Sequence, residues 1–158
     1  MKFKCYEKRT IEIPDCKETN PNDCNRTFHL YLPSIICGNK QIINEDGTDI
    51  IQDTNGDEYT PDLQSIGNLP LVFGIHCYGC TAQNIDVFAQ YTDTLNMVLV
   101  LPEGIQSSFN GKHCCGYALE NNIDDVGYFK HLQTMLSDEY SFIKGEYSYG
   151  VGWSNGGQ

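Results

Sequence analysis

Apolar and polar residues alternate in two stretches near the start of the chain, residues 10–13 and 26–33. Alternation with a period of two predicts a strand that buries one face and leaves the other in water. In the second stretch the apolar face carries Phe28, Leu30 and Leu32. His29 falls on the opposite face, which we predict to be solvated, and this position argues against a role as catalytic base or metal ligand.

The second half of the chain changes to continuous runs with strand character, separated by stretches with helical periodicity. The predicted strands cover residues 69–75, 97–101 and 147–151. The predicted helices cover residues 83–95 and 124–139. Because strands and helices alternate, the order predicts an α/β fold whose strands pair in parallel through right-handed crossovers.

Both helical stretches have an apolar stripe, in which we include Leu95 and Val126. Asn122 or Asp124 can cap the second helix, because their side chains accept hydrogen bonds from the free N–H groups of a first turn. No internal repeat is visible along the chain.

Residues 34–68 have no clear period, and we predict that they are an insertion between strands. Residues 53–57 place oxygen-bearing side chains at alternate positions, as a calcium loop does. That loop needs Gly and Glu where this chain has Glu58 and Gln64. The pair Asn55-Gly56 is a strong turn signal, so we favour a surface hairpin over calcium binding.

The charge balance narrows the range of partners. The chain has 158 residues, with 10 lysines and arginines against 21 aspartates and glutamates, for a net charge of −11 at pH 7. Such a surface repels nucleic acid and anionic membranes, and no apolar run approaches the roughly 18 residues of a membrane span. We expect one domain that binds neither nucleic acid nor a membrane.

Eight cysteines are many for a chain of this length, and they are typical of exported proteins that contain disulfides. Residues 25–27 form an N-glycosylation sequon, which is compatible with export. The first residues lack the apolar segment of a signal peptide, so we expect a secreted protein whose signal peptide lies outside this sequence. We predict that residues 1–25 are a polar extension before the main domain, residues 26–158.

Residues 152–156 match the pattern G-x-S-x-G directly after the last predicted strand. In a strand-to-helix turn, this pattern presents a serine hydroxyl as a nucleophile, here Ser154. Glycine is expected at positions 152 and 156 for a steric reason, because the tight turn brings backbone against backbone. His76, after an earlier strand, lies where such folds place a second oxyanion donor, and we predict a structural role for its ring.

Two alternative functions, a thiol–disulfide redox site and a zinc site, would use cysteines of the second half of the chain. Cys77 and Cys80 form a C-x-x-C pair between a strand and a helix, which is also the layout of thiol–disulfide oxidoreductases. A zinc site would combine them with His113 and one of Cys114 and Cys115, but neighbouring cysteines rarely bind one ion together. Both alternatives leave Ser154 without a role.

Several segments together resemble one family, the secreted esterases that include polyhydroxybutyrate depolymerases, feruloyl esterases and acetyl xylan esterases. The segments are residues 26–33, 69–76, 100–104, 115–116, 124–129 and 152–157. The resemblance implies an α/β-hydrolase fold over residues 26–158, a mostly parallel sheet with flanking helices that is truncated after the nucleophile elbow. It also implies hydrolysis of carboxylic esters on cell-wall polysaccharides or polyesters, without a cofactor.

Carried over by position, Ser154 is the nucleophile, and the backbone N–H groups of Asn155 and Cys77 form the oxyanion hole. The triad acid and histidine follow the serine in this fold, and none of the four histidines does so here. We therefore expect these residues alone to be inactive or nearly so. The alternative is a non-catalytic hydrolase-like module that binds a carbohydrate or a partner protein.

The resemblance also suggests a use for the cysteines. If the strands before them are neighbours in the sheet, their loops share one edge, close to the nucleophile. One of Cys77 and Cys80 could then bridge one of Cys114 and Cys115.

Overall fold

The computed structural model of the protein describes residues 5–14, 16–38, 40–43, 49–52, 62 and 66–158. The strands are β1 Tyr6–Glu12, β2 Asn25–Tyr31, β3 Lys40–Ile43, β4 Asp49–Gln52, β5 Leu69–Ile75, β6 Val98–Pro102 and β7 Ile143–Gly152. The α-helices are α1 Ser34–Cys37, α2 Tyr117–Glu120 and α3 Asp125–Glu139. The 3₁₀ helices are Pro21–Cys24, Ala82–Tyr91 and Ser154–Gly157.

A five-stranded mixed sheet in the order β1-β2-β6-β5-β7 organises the chain. The pairs β1–β2 and β2–β6 are antiparallel, and β5 pairs in parallel with both β6 and β7. The parallel pairing of the last three strands is therefore confirmed, and the sheet with its helices is compatible with the α/β class. The sheet is mixed rather than mostly parallel as we expected, because β1 and β2 join it through antiparallel pairs. Because β5, β6 and β7 run in the same direction, the loops after them meet at one edge of the sheet.

Apolar cores cover both faces of the sheet. On one face, Leu132 and Leu136 of α3 pack against side chains of β2, β5 and β6. On the other face, Ala82, Ile85 and Ala89 of the 3₁₀ helix Ala82–Tyr91 pack against the remaining sheet residues. In the described part of the chain, no helix is long and apolar enough to cross a membrane.

The second core explains why the prediction for His29 was wrong. We expected the face of β2 that carries His29 to be solvated, but the side chain is only 3% exposed. β2 lies inside the sheet, and the 3₁₀ helix Ala82–Tyr91 covers this second face. Alternation in the sequence shows which side chains share a face, but it does not show what packs on that face.

The helix predicted near residue 124 is α3, and Asp124 is its N-cap. The Asp124 carboxylate accepts a hydrogen bond from the N–H of Gly127 at 2.8 Å. The predicted stripe was wrong at Val126, which is 58% exposed, and at Leu95, which is 60% exposed. Leu95 lies beyond the end of its 3₁₀ helix, so the helical period no longer holds there.

Strands also form in the predicted polar extension and in the predicted insertion. β1 pairs with β2 along its whole length, across the predicted boundary at residues 25 and 26. β3 and β4 form a separate two-stranded antiparallel sheet. The predicted hairpin at residues 53–57 and the calcium alternative fall outside the described residues.

Candidate active site around Ser154

The elbow, residues 152–157, connects the end of β7 to a 3₁₀ helix that begins at Ser154. Ser154 is exposed and has a φ of 54°, in the left-handed region that residues other than glycine rarely occupy. A backbone held in this region stores strain, and strain of this kind is concentrated at functional sites. The local structure therefore presents the Ser154 hydroxyl at the carboxyl edge of the parallel strands.

Backbone packed on backbone holds the elbow in this shape. A Cβ added to Gly152 would overlap the carbonyl group of Gly156, and one added to Gly156 would overlap the carbonyl oxygen of Ile75. Neither obstacle is a flexible side-chain end that could move aside. Glycine is thus a steric requirement two positions before and two positions after Ser154.

The same packing joins the elbow to the end of β5. The N–H of Trp153 donates to the carbonyl of Ile75 at 3.1 Å, and Gly156 lies against the carbonyl oxygens of Ile75 and His76. Cys77 is the next residue in the chain after His76. Within the described part of the chain, the backbone N–H groups of Cys77 and Asn155 have no acceptor. An oxyanion hole requires backbone N–H groups that have no acceptor within the protein, and these two groups meet that requirement.

His76 is a buried structural residue, with 1% of its surface exposed. Its Nε2 accepts from the N–H of Gly104 at 3.0 Å, so the ring proton resides on Nδ1, which donates to the carbonyl of Cys77 at 2.8 Å. Both ring nitrogens are therefore occupied. His76 fixes the turn after β5 to the turn after β6, as a structural histidine does.

Glu103 lies just after β6 and contacts the same region. One carboxylate oxygen accepts from the N–H of Ala82 at 3.1 Å. The other lies 3.3 Å from Nε2 of His29. Burial opposes ionisation of Glu103, but the contacts with His29 and Ala82 outweigh it and lower the pKa of this carboxyl.

The side chain of Asn155 holds the loop after β6 (the β6 loop, residues 103–116) against the elbow. Asn155 Oδ1 accepts from the N–H of Phe109 at 2.9 Å, and Nδ2 donates to the Phe109 carbonyl at 2.9 Å. Nδ2 also donates to the carbonyl of Cys114 at 3.0 Å. Asn155 is 2% exposed, so these bonds are shielded from water.

The cysteines of the two loops pair locally, which corrects the bridge we expected between the loops. Cys77 is bonded to Cys80, and Cys114 to Cys115. The loops do meet, because the Tyr78 ring packs where a side chain at residue 116 would stand and Gly79 N–H donates to Ser107. A shared edge brings loops together, but it does not determine which sulfurs pair.

The remaining disulfides join Cys5 to Cys37 and Cys16 to Cys24. All eight cysteines of the sequence are therefore paired, which is compatible with an extracellular protein. Among the described residues, no group of three or more histidine, cysteine, aspartate or glutamate side chains could hold a metal ion.

No protein-family model matches the sequence, and neither does any curated protein. Among solved structures, the fold is similar to that of S-formylglutathione hydrolase (FrmB) from Staphylococcus aureus, solved as the apoenzyme. The TM-score is 0.52 and the sequence identity 11%. The match covers 96% of this chain and 48% of that chain, so this chain spans about half the length of its neighbour. At this identity the likeness concerns the fold.

Several residues at this edge were not singled out from the sequence. Glu103, Phe109 and Asp125 all contact the framework of the site, and the Asn155 side chain does so in addition to its backbone. The sequence did contain a signal for Asp125, since two acids are adjacent at the start of the helix. Only one of them can be the N-cap, so the other is available for a different contact. Nothing in the local sequence marks Phe109.

Proposed function

We propose that this protein is a serine carboxylic ester hydrolase with an α/β-hydrolase fold and that Ser154 is its nucleophile. One observation carries the proposal, an exposed serine held in the left-handed region between two glycines that pack backbone on backbone. The likeness in fold to a protein named as a hydrolase supports it. So do the free N–H groups of Asn155 and Cys77.

In the proposed reaction, Ser154 Oγ attacks the ester carbonyl carbon and its proton passes to a general base. The carbonyl oxygen becomes an oxyanion, to which the N–H groups of Asn155 and Cys77 donate hydrogen bonds. Cleavage of the ester C–O bond leaves an acyl-serine, and the alcohol departs with the proton from the base. Water then attacks the acyl group in the same way, which releases the carboxylic acid and restores the serine.

The general base is not among the contacts of Ser154 in the described residues. His76 uses both ring nitrogens in other hydrogen bonds, and His29 lies buried beside Tyr6 and Glu103. We infer that a histidine and an acid from elsewhere in the natural protein complete the triad. These 158 residues alone should therefore hydrolyse esters very slowly or not at all.

For the substrate, we propose esters of plant cell-wall polysaccharides, feruloyl or acetyl, or a polyester, hydrolysed outside the cell without a cofactor. The motifs that resemble secreted esterases support this choice. The net charge of −11 favours neutral esters over anionic ones. Four disulfides are compatible with an extracellular enzyme.

The experiment that tests this function measures turnover of p-nitrophenyl acetate by the protein in its natural full length. We expect Ser154→Ala to lower kcat by about 10⁴-fold or more, as loss of a nucleophile does. A fluorophosphonate probe should label the parent protein on the peptide that contains Ser154, and it should not label the variant.

The matched control is Ser141→Ala, the same exchange at an exposed serine between α3 and β7. It should keep the turnover and the labelling of the parent. Turnover that survives Ser154→Ala would reject Ser154 as the nucleophile. No detectable turnover of feruloyl or acetyl polysaccharide esters or of a polyester, while p-nitrophenyl acetate is still hydrolysed, would reject the proposed substrate class alone.

A further inference from the structure

One peptide unit, between Phe109 and Asn110, connects the elbow to the start of α3. Its carbonyl oxygen accepts from Asn155 Nδ2 at 2.9 Å, and its N–H donates to Asp125 Oδ2 at 2.7 Å. Both groups of the same peptide are thus held by buried side chains, since Asn155 is 2% exposed and Asp125 is 3% exposed. The plane of this peptide cannot rotate unless a hydrogen bond breaks.

The two bonds strengthen each other. A carboxylate that accepts from the N–H of a peptide polarises the unit and places more negative charge on its carbonyl oxygen. The carbonyl is then a better acceptor for the amide of Asn155. Hydrogen bonds to charged groups contribute more than neutral ones, and a shielded site increases the effect.

Asp125 is itself held by partners on its other side. Its Oδ1 lies 2.5 Å from Nη2 of Arg26, and this ion pair is buried. The Arg26 guanidinium stacks over the Tyr128 ring at 4.0 Å, and the Tyr128 hydroxyl donates to the carbonyl of Thr27 in β2. The carboxylate therefore has a fixed orientation, with one oxygen for Arg26 and the other for Asn110.

We propose that Asp125 is a positioning residue for the oxyanion hole, acting through the Phe109–Asn110 peptide on the Asn155 side chain. The inference rests on the proposed function, in which the backbone N–H of Asn155 donates to the oxyanion. The backbone packing sets the shape of the elbow, and the Asn155 side chain, anchored by this peptide, then holds the N–H of the same residue in place. Asp124, the neighbouring acid, caps α3 and has no part in this arrangement.

The first variant is Asp125→Asn in the natural full-length protein. The guanidinium of Arg26 will take the amide oxygen, because the charged donor forms the stronger bond, and this turns the NH₂ group toward the N–H of Asn110. The link to the peptide is then lost. We expect kcat for p-nitrophenyl acetate to fall about 10-fold, with KM changed by less than about 2-fold, because the oxyanion forms only in the transition state.

A second variant separates positioning from stability. The double exchange Arg26→Met with Asp125→Leu removes both buried charges, so no charge is left unpaired, and it still leaves Asn110 without its acceptor. We expect the urea midpoint to recover toward that of the parent while kcat stays about 10-fold low. Recovery of kcat together with the midpoint would overturn the proposal, because a purely structural role predicts that result.

A third comparison tests the route through Asn155. In an Asn155→Ala background, Asp125→Asn should change kcat by less than about 2-fold, since the side chain it positions is absent. Independent effects would instead multiply, and that result would also overturn the proposal. Asp124→Asn is the matched control, and its kcat should equal that of the parent.

A readout without catalysis keeps this inference distinct from the proposed function. If Ser154→Ala retains turnover, the proposed function fails, and amide hydrogen exchange still tests whether Asp125 positions the Asn155 side chain through the Phe109–Asn110 peptide. In the Arg26→Met, Asp125→Leu variant, the N–H of Phe109 should exchange at least about 10-fold faster, while amides of β5 and β6 keep their protection. Unchanged exchange at Phe109 would overturn the positioning role.

Discussion

The elbow and the β6 loop meet at the same edge of the sheet, but different forces hold them. The elbow is fixed by glycines whose backbone lies directly against other backbone, and the side chain of its Asn155 reaches out to the β6 loop. The β6 loop is fixed by side chains that reach it from elsewhere, Asn155, Asp125 and His76. The elbow has no room for a Cβ at Gly152 and Gly156, and Gly104 at the start of the β6 loop shares this restriction, but the rest of that loop depends on polar atoms being in place.

This difference determines how each region should respond to substitution. Steric overlap with backbone cannot be relieved by a rotamer change, so its cost is high and local. Loss of one hydrogen bond among several costs less, unless it leaves a buried polar group without a partner. We expect the largest effects at the glycines of the elbow and smaller ones in the β6 loop.

The largest effect should come from Gly156→Ala, because the added methyl group overlaps the Ile75 carbonyl oxygen. We expect the free energy of unfolding to fall by about 3 kcal/mol or more, measured by urea denaturation. Gly150→Ala in β7 is the matched control, since nothing lies within 4 Å of the added Cβ there. A change of similar size at both positions would show that overlap with the Ile75 carbonyl is not what requires glycine at residue 156.

A smaller effect concerns the backbone of Ser154. Its left-handed φ of 54° suits glycine better than alanine. Ser154→Gly should therefore be more stable than Ser154→Ala by about 1 kcal/mol, after the greater chain entropy of glycine is subtracted. The comparison uses thermal and urea unfolding of the two inactive variants.

Lys112 extends this test to the β6 loop. It has a φ of 65° and an exposed side chain, so Lys112→Gly should exceed Lys112→Ala in stability by a similar amount. Equal stability of the Gly and Ala variants at residue 154 would show that the elbow relaxes once the serine hydroxyl is gone.

The smallest effect concerns pH and Glu103. Because the contacts of Glu103 in the folded protein lower its pKa below the ordinary value of 4.5, the carboxylate stabilises the fold fully above that pH. The contribution is lost as the pH falls through the lower folded-state pKa. The urea midpoint of the parent should therefore fall more between pH 5 and pH 3 than that of Glu103→Gln.

Glu120→Gln is the control, because it removes a carboxylate from an exposed position at the end of α2. It should follow the parent through the acid range. If Glu103→Gln also follows the parent, the contacts of Glu103 with Ala82 and His29 contribute nothing to stability.

The elbow could be located from the sequence because its physical requirement is local. A serine with glycines two positions before and two positions after it, directly after a strand, is typical of a nucleophile elbow. The strands of the parallel core were also predictable, since runs such as residues 69–75 are apolar whichever neighbours they acquire. Asp124 as helix cap belongs to the same class, because its partner Gly127 is three residues away.

The contacts that hold the β6 loop could not be predicted in this way. Phe109 and Asn155 are separated by 46 residues, and Arg26 and Asp125 by 99, so no local pattern relates them. His29 shows the same limit, because its face of β2 is buried by the 3₁₀ helix Ala82–Tyr91. The pairing of Cys77 with Cys80 rather than with the β6 loop is another case.

The sequence by itself therefore determined the α/β class, the strands of its core and the candidate nucleophile, and it limited the helix cap to Asn122 or Asp124. Each of these depends on interactions between residues close in the chain or on burial that any neighbour can provide. The tertiary structure alone decided which side chains hold the β6 loop and which surfaces are covered. Those outcomes depend on strand order, which brings residues from distant parts of the chain to one edge of the sheet.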